Sequence, residues 1–158
     1  SDADLTQILQ VLKTLEQLGG RMACQLASDE TIEAIHILHK RMIELYETKD
    51  RLEYFKLNQA IHSAIVAASG NAVLVEMHET LQARIKRLRF IGNEGPVKWA
   101  GAVAEHEEMI IALKERDAEA LADVIGRHMD STRLRVRDRS DSASALSGGR
   151  PNNGAVSA

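Results

Sequence analysis

A chain of 158 residues has the length of one domain and enough side chains for a real core; with 44% hydrophobic but only 3% aromatic residues, that core must be mostly Leu, Ile, Val, Ala and Met, which favours helices over strands. A formal net charge of −3 excludes a general polyanion binder and would confine nucleic-acid binding to a local basic patch. Cys24 is the single cysteine, so an intramolecular disulfide is excluded and a reducing cytoplasm is the expected compartment, while no apolar run approaches the ~18 residues of a membrane span.

The polar, acidic start Ser1 to Asp4 is no signal peptide. From about Asp4 to Ala27 the spacing predicts a first helix, with Leu5, Ile8, Leu12, Leu15, Leu18 and Met22 at three- and four-residue steps. Gly19-Gly20 either weakens this helix or admits a close neighbour. Ser28 or Asp29 can cap a second helix carrying Ile32, Ile35, His39, Met42, Ile43 and Tyr46 on one side. Asp50 with Glu53 resembles a capping box and opens a third helix, which stops at Gly70. Asn71 caps a fourth, running through Leu74, Met77, Leu81, Ile85 and Leu88 to about Gly92-Asn93. After a loop from Gly92 to Pro96, a fifth helix starts at Pro96 or Val97, where proline suits a first turn. Trp99, Ala102, Val103, His106, Met109, Ile110 and Leu113 share its face. Asp117 caps a sixth helix with Leu121, Val124, Ile125 and His128 inward. The expected architecture is therefore all-α, an antiparallel bundle of about six helices over residues 1–139. Ser140 to Ala158 has the composition of a flexible tail.

Four polar residues fall where apolar ones belong. Asn58 and His62, four residues apart, lie one above the other on a helix face shared with Tyr54, Phe55, Ile61 and Ile65. His106 and His128 take the same central position on later helices. Burying an imidazole or an amide costs free energy unless it finds a partner. A neutral imidazole offers one lone pair that borderline divalent metals accept. Three imidazoles and an amide oxygen can hold one side of an octahedron and leave open positions for water or a carboxylate. Spacing alone leaves two readings open, a metal site and hydrogen-bonded core histidines. His39 also lies on an apolar stripe without being assigned a metal, whereas His36 and His78 sit toward stripe edges as structural or solvent-facing residues.

Arg84 lies at the edge of the fourth helix's stripe. A guanidinium there stays charged and needs an anionic partner, either a ligand carboxylate beside the metal or an acid such as Glu105. Lys13 and Arg21 are weaker candidates for the rim of the same pocket. Glu105, Glu107 and Glu108 point off the face of His106, so no base stands out for an enzyme. No Ser/His/Asp order, phosphate loop or zincin motif occurs.

The stretch Asn58 to His62 running into Ala68-Ser69-Gly70-Asn71, then Glu105-His106, Arg116-Asp117-Ala118 and His128, resembles the effector-binding C-terminal domain (FCD) of FadR-type GntR transcription regulators. The resemblance covers about Leu5 to Arg137. It implies a bundle of six or seven helices in which an Asp and three His bind zinc, nickel or a similar divalent metal. It also implies a small carboxylate effector bound above that metal, which changes DNA binding by an attached winged helix-turn-helix domain. Carried onto this sequence, the metal ligands are Asn58, His62, His106 and His128, and Arg84 faces the anion. Two departures stand out: Asn58 replaces the family's usual Asp, and Ile61 its usual Phe. Because the amide oxygen is neutral, a divalent ion would keep a first-shell charge of +2 rather than +1, and its binding is expected to depend more on an added anion.

No winged-helix sequence precedes Leu5, so the chain is expected to be the sensor half alone, a cytoplasmic homodimer reaching DNA only through the missing N-terminal domain. It is read as a sensor, not an enzyme and not a membrane protein. The competing reading is a helical metal-dependent enzyme acting on a small organic acid.

Overall fold

A computed structural model describes the backbone of residues 2–92 and 96–147, and the side chains of residues 5–86 and 99–134. The chain forms six helices: α1 Asp2–Leu26, α2 Asp29–Glu47, α3 Arg51–Ala67, α4 Ala72–Gly92, α5 Pro96–Lys114 and α6 Ala118–Ser147. No strand occurs among the described residues, the outcome that the aromatic-poor composition favours. None of these helices is long and apolar enough to cross a membrane.

The helix boundaries follow from side chains that take over orphan backbone donors. Ser28 Oγ accepts from Thr31 N at 3.1 Å, Asp50 Oδ1 from Glu53 N at 3.3 Å, Asn71 Oδ1 from Leu74 N at 3.1 Å and Asp117 Oδ1 from Ala120 N at 3.0 Å. At the other ends the chain reverses through left-handed residues: Lys49 (φ 60°), Gly70 (φ 68°) and Arg116 (φ 55°). After α2 and α5 the closing bonds are of one kind, Asp50 N to Leu45 O and Asp117 N to Ala112 O, each 2.9 Å. A left-handed conformation at a residue with a Cβ is unfavourable. Arg116 offsets it by donating to Cys24 O (3.1 Å), Ala27 O (2.8 Å) and Asp29 Oδ1 (2.6 Å), thereby closing the end of α1.

The core runs through all six helices, from Leu9 and Leu12 of α1 to Val124, Ile125 and Met129 of α6. Gly19 and Gly20 seat α1 against its neighbours. A Cβ on Gly19 would lie 3.2 Å from the Val66 backbone of α3, and one on Gly20 would lie 2.8 Å from Ile125 Cδ1 of α6. The close-neighbour role of this pair is thus the one realised. Tyr46, Tyr54 and Trp99 join α2, α3 and α5 edge to face, with Trp99 5.0 and 5.1 Å from the two tyrosines.

Two helices are rotated from the expected stripe. In α1 the buried line is Leu9, Leu12, Glu16, Ala23 and Cys24, while Leu18 is 44% exposed. In α4 it is Leu74, His78, Gln82 and Ile85, with Met77 half exposed; Leu88 lies outside the described side chains. Leu12, Leu74 and Ile85 belong to both lines; the rotation turns Glu16, Gly19 and Gly20 inward in place of Leu15 and Leu18 in α1, and His78 and Gln82 in place of Met77 and Leu81 in α4. The sixth helix continues to Ser147, beyond the boundary expected at Arg139, because no Gly or Pro lies between Arg139 and Gly148. The rest of the expected tail, 148–158, and the loop residues 93–95 lie outside the described residues.

Candidate metal centre

His62 of α3, His106 of α5 and His128 of α6 meet in the middle of the bundle. Their exposures are 2%, 0% and 2%, and their ring centroids are 4.9 to 5.1 Å apart in every pair. One ring nitrogen from each lies within 4.8 Å of the others. Among the described residues this is the one group of three His, Cys, Asp or Glu side chains close enough to hold an ion together. Each imidazole sits at the centre of its helix's buried face, as the periodicity required, and the register of three separate helices makes them converge.

Asn58 lies one turn before His62 on α3 and is buried. Its Oδ1 has no hydrogen-bond partner among the described residues. A buried amide oxygen without a partner forfeits roughly 1–3 kcal/mol, so a Lewis acid beside it would remove a real penalty. This orphaned oxygen together with three neutral imidazoles fits a borderline divalent metal.

Two carboxylates approach the histidines from behind. Glu16 Oε2 is 2.8 Å from His62 Nδ1, and Glu105 Oε2 is 2.6 Å from His128 Nδ1. A carboxylate can only accept, so these bonds place the ring protons on Nδ1 and leave the lone pair on Nε2. Histidines that bind metals are commonly held by such an outer acceptor. Glu16 uses its second oxygen as well, 3.0 Å from Nε2 of the fully buried His78. His78 in turn lies 3.6 Å from Glu79 of the bundle surface. Sequence reasoning missed Glu16 and placed His78 at a stripe edge; the one available signal was the turn of small residues after Glu16, Gly19-Gly20 and Ala23, which marks the face that packs closest. It also turned Glu105 outward, yet that side chain reaches the outer edge of His128.

The remaining candidates lie elsewhere. Arg84 is exposed, on the flank of α4 beside the buried line His78, Gln82 and Ile85. The expectation that it faces the anion therefore requires it to reach inward from the rim. Lys13 pairs with Asp130 at 2.7 Å and lines a cleft of about 330 Å³ between α1 and α6, together with Leu9, Gln17, Met129 and Arg133. Arg21 is bonded to the exposed Glu119, which holds that carboxyl below the usual carboxylate range, first by the hydrogen bond and then by the charge of the guanidinium. His39 is buried and bonded to Glu107, and His36 lies beside Glu33 and Lys114. Burial pushes the Cys24 thiol up, which leaves it a core residue.

The sequence model of the FCD domain matches residues 7–131. Among solved structures, E. coli McbR/YncC is similar, with a TM-score of 0.80 at 18% identity, covering 89% of this chain and 67% of that one. At that identity the likeness is one of fold. A comparison with curated proteins gave no match.

Proposed function

The chain belongs to the FCD domain family, and from that premise we propose that it is the effector-sensing domain of a GntR-type transcription regulator. In this reading Asn58, His62, His106 and His128 hold a divalent transition metal, zinc or nickel by their donor chemistry, and a small carboxylate binds there as effector. The observation that carries it is the convergence of three buried imidazoles, with the orphaned Asn58 Oδ1 carried one helical turn before His62. A metal at this place supplies a Lewis-acidic centre for a carboxylate. The chain's own residues exclude bulk water from it, and Glu16 and Glu105 fix which ring nitrogen faces it. Arg84 is the proposed rim contact for the anion. A homodimer that reaches DNA through a separate winged helix-turn-helix domain completes the proposal.

Calorimetric titration with zinc, then with malonate as a probe carboxylate, tests it. Zinc binding at about one ion per chain, with malonate bound more tightly in its presence, is the expected result; a chain that binds no zinc overturns the reading. The fragment alone should give no salt-resistant, sequence-selective DNA complex, since no recognition helix is legible in it and its net charge is −3. Turnover of a small acid by the metal-loaded protein would favour the enzyme reading instead.

A further inference from the structure

Counting only the first shell, Asn58 would leave a divalent ion uncompensated among buried side chains. Glu16 changes that count. It comes from α1, which contributes nothing else to the triad, and its side chain is only 2% exposed. Both of its oxygens are taken by buried imidazoles, His62 at 2.8 Å and His78 at 3.0 Å. An anion so placed is poorly screened by solvent, and it is bonded to one of the three imidazoles that would hold the metal. Glu105 has the same relation to His128 but is more exposed, at 15%.

We propose that Glu16 supplies the metal site with the negative charge that Asn58 does not, acting through the ring of His62. The charge that a first-shell acid would bring has moved one residue outward. His78 is the second donor that keeps Glu16 in place. Glu16 is thus a positioning and charge-compensating residue rather than a ligand, and this assignment rests on the metal reading above.

Zinc affinity, measured by competition with a chromophoric chelator, tests it in four proteins: the unaltered chain, Glu16→Gln, Asn58→Asp and the double variant. Glu16→Gln keeps the size of the side chain and loses the charge, and should weaken zinc by ~10–100-fold, the usual range for an outer-shell partner. Adding Asn58→Asp should then restore most of the loss, whereas Asn58→Asp in the unaltered chain should gain much less. Equal gains in the two backgrounds, or unchanged affinity in Glu16→Gln, would overturn the proposal and leave the metal reading intact. Failure of the unaltered chain to bind zinc would overturn both. Should Glu16→Gln not fold, nitrogen NMR of the unaltered chain decides. The proton of His62 must remain on Nδ1 when zinc is bound; coordination of zinc through His62 Nδ1 would sink the idea.

Discussion

His39 and His62 are both buried and both bonded to a glutamate, yet they belong to different kinds of place. The carboxylate on His39, Glu107, is 57% exposed and stands at the edge of α5, whereas the one on His62, Glu16, lies within the core. Around His62 two further imidazoles stand within about one ring's width, while His39 belongs to no such group among the described residues. Burial of a histidine is set by its own helix face. Convergence depends on the register of three helices at once, and convergence is what makes a candidate site.

The strongest way to break that contrast is to remove one imidazole on each side. His106→Ala should weaken zinc by more than the ~10–100-fold typical of an outer-shell change, abolishing the thermal shift on adding zinc. His39→Ala should leave zinc affinity unchanged and cost only stability, about 1–3 kcal/mol by denaturant unfolding, because Glu107 can turn to water. Equal loss of zinc in both variants would erase the distinction. The carboxylates sharpen it next. Glu105→Gln should lower zinc affinity by ~10-fold or more, and Glu107→Gln should not; chelator competition reads both. Arg84→Ala comes third: malonate affinity in the zinc-loaded protein should fall while the folded helix content by circular dichroism stays the same. Unchanged malonate binding would confine Arg84 to the surface. The smallest effect is expected at Glu119, a fully solvated acid against which the buried pairs can be calibrated. Its carboxyl is held below its ordinary value by Arg21, so the pair's contribution is present above the unfolded-state value and disappears as pH falls through the folded one. Glu119→Gln should shift the melting temperature barely at neutral pH and not at all in acid, with salt shrinking even the neutral-pH difference.

Much of this was legible from residues alone. Ser28, Asp50, Asn71 and Asp117 announce the helix starts because each can accept a hydrogen bond from a backbone donor three residues on. His62, His106 and His128 stood out because each interrupts an apolar stripe at its centre. Glu16 did not stand out, for a physical reason. Its helix has two apolar flanks, and the one richer in leucine is partly solvent-facing; the true inner face is lined by Gly19, Gly20 and Ala23, residues whose small size signals proximity rather than hydrophobicity. His78 was hidden likewise, since its value to the core comes from a carboxylate on another helix. Arg84 lies at the edge of the stripe that the spacing of α4 suggests, and the rotation of α4 about its axis turns that edge to solvent.

The guanidinium of Arg116 has a consequence for how the bundle opens. It leaves the corner between α5 and α6 and grips carbonyls at the end of α1, together with the acid that begins α2. Two corners 87 to 92 residues apart in sequence are thereby tied into one unit. Fraying of either corner breaks these bonds, so exchange of the amide hydrogens flanking Ala27 and Asp117 is expected to be coupled, and faster at both corners in Arg116→Ala.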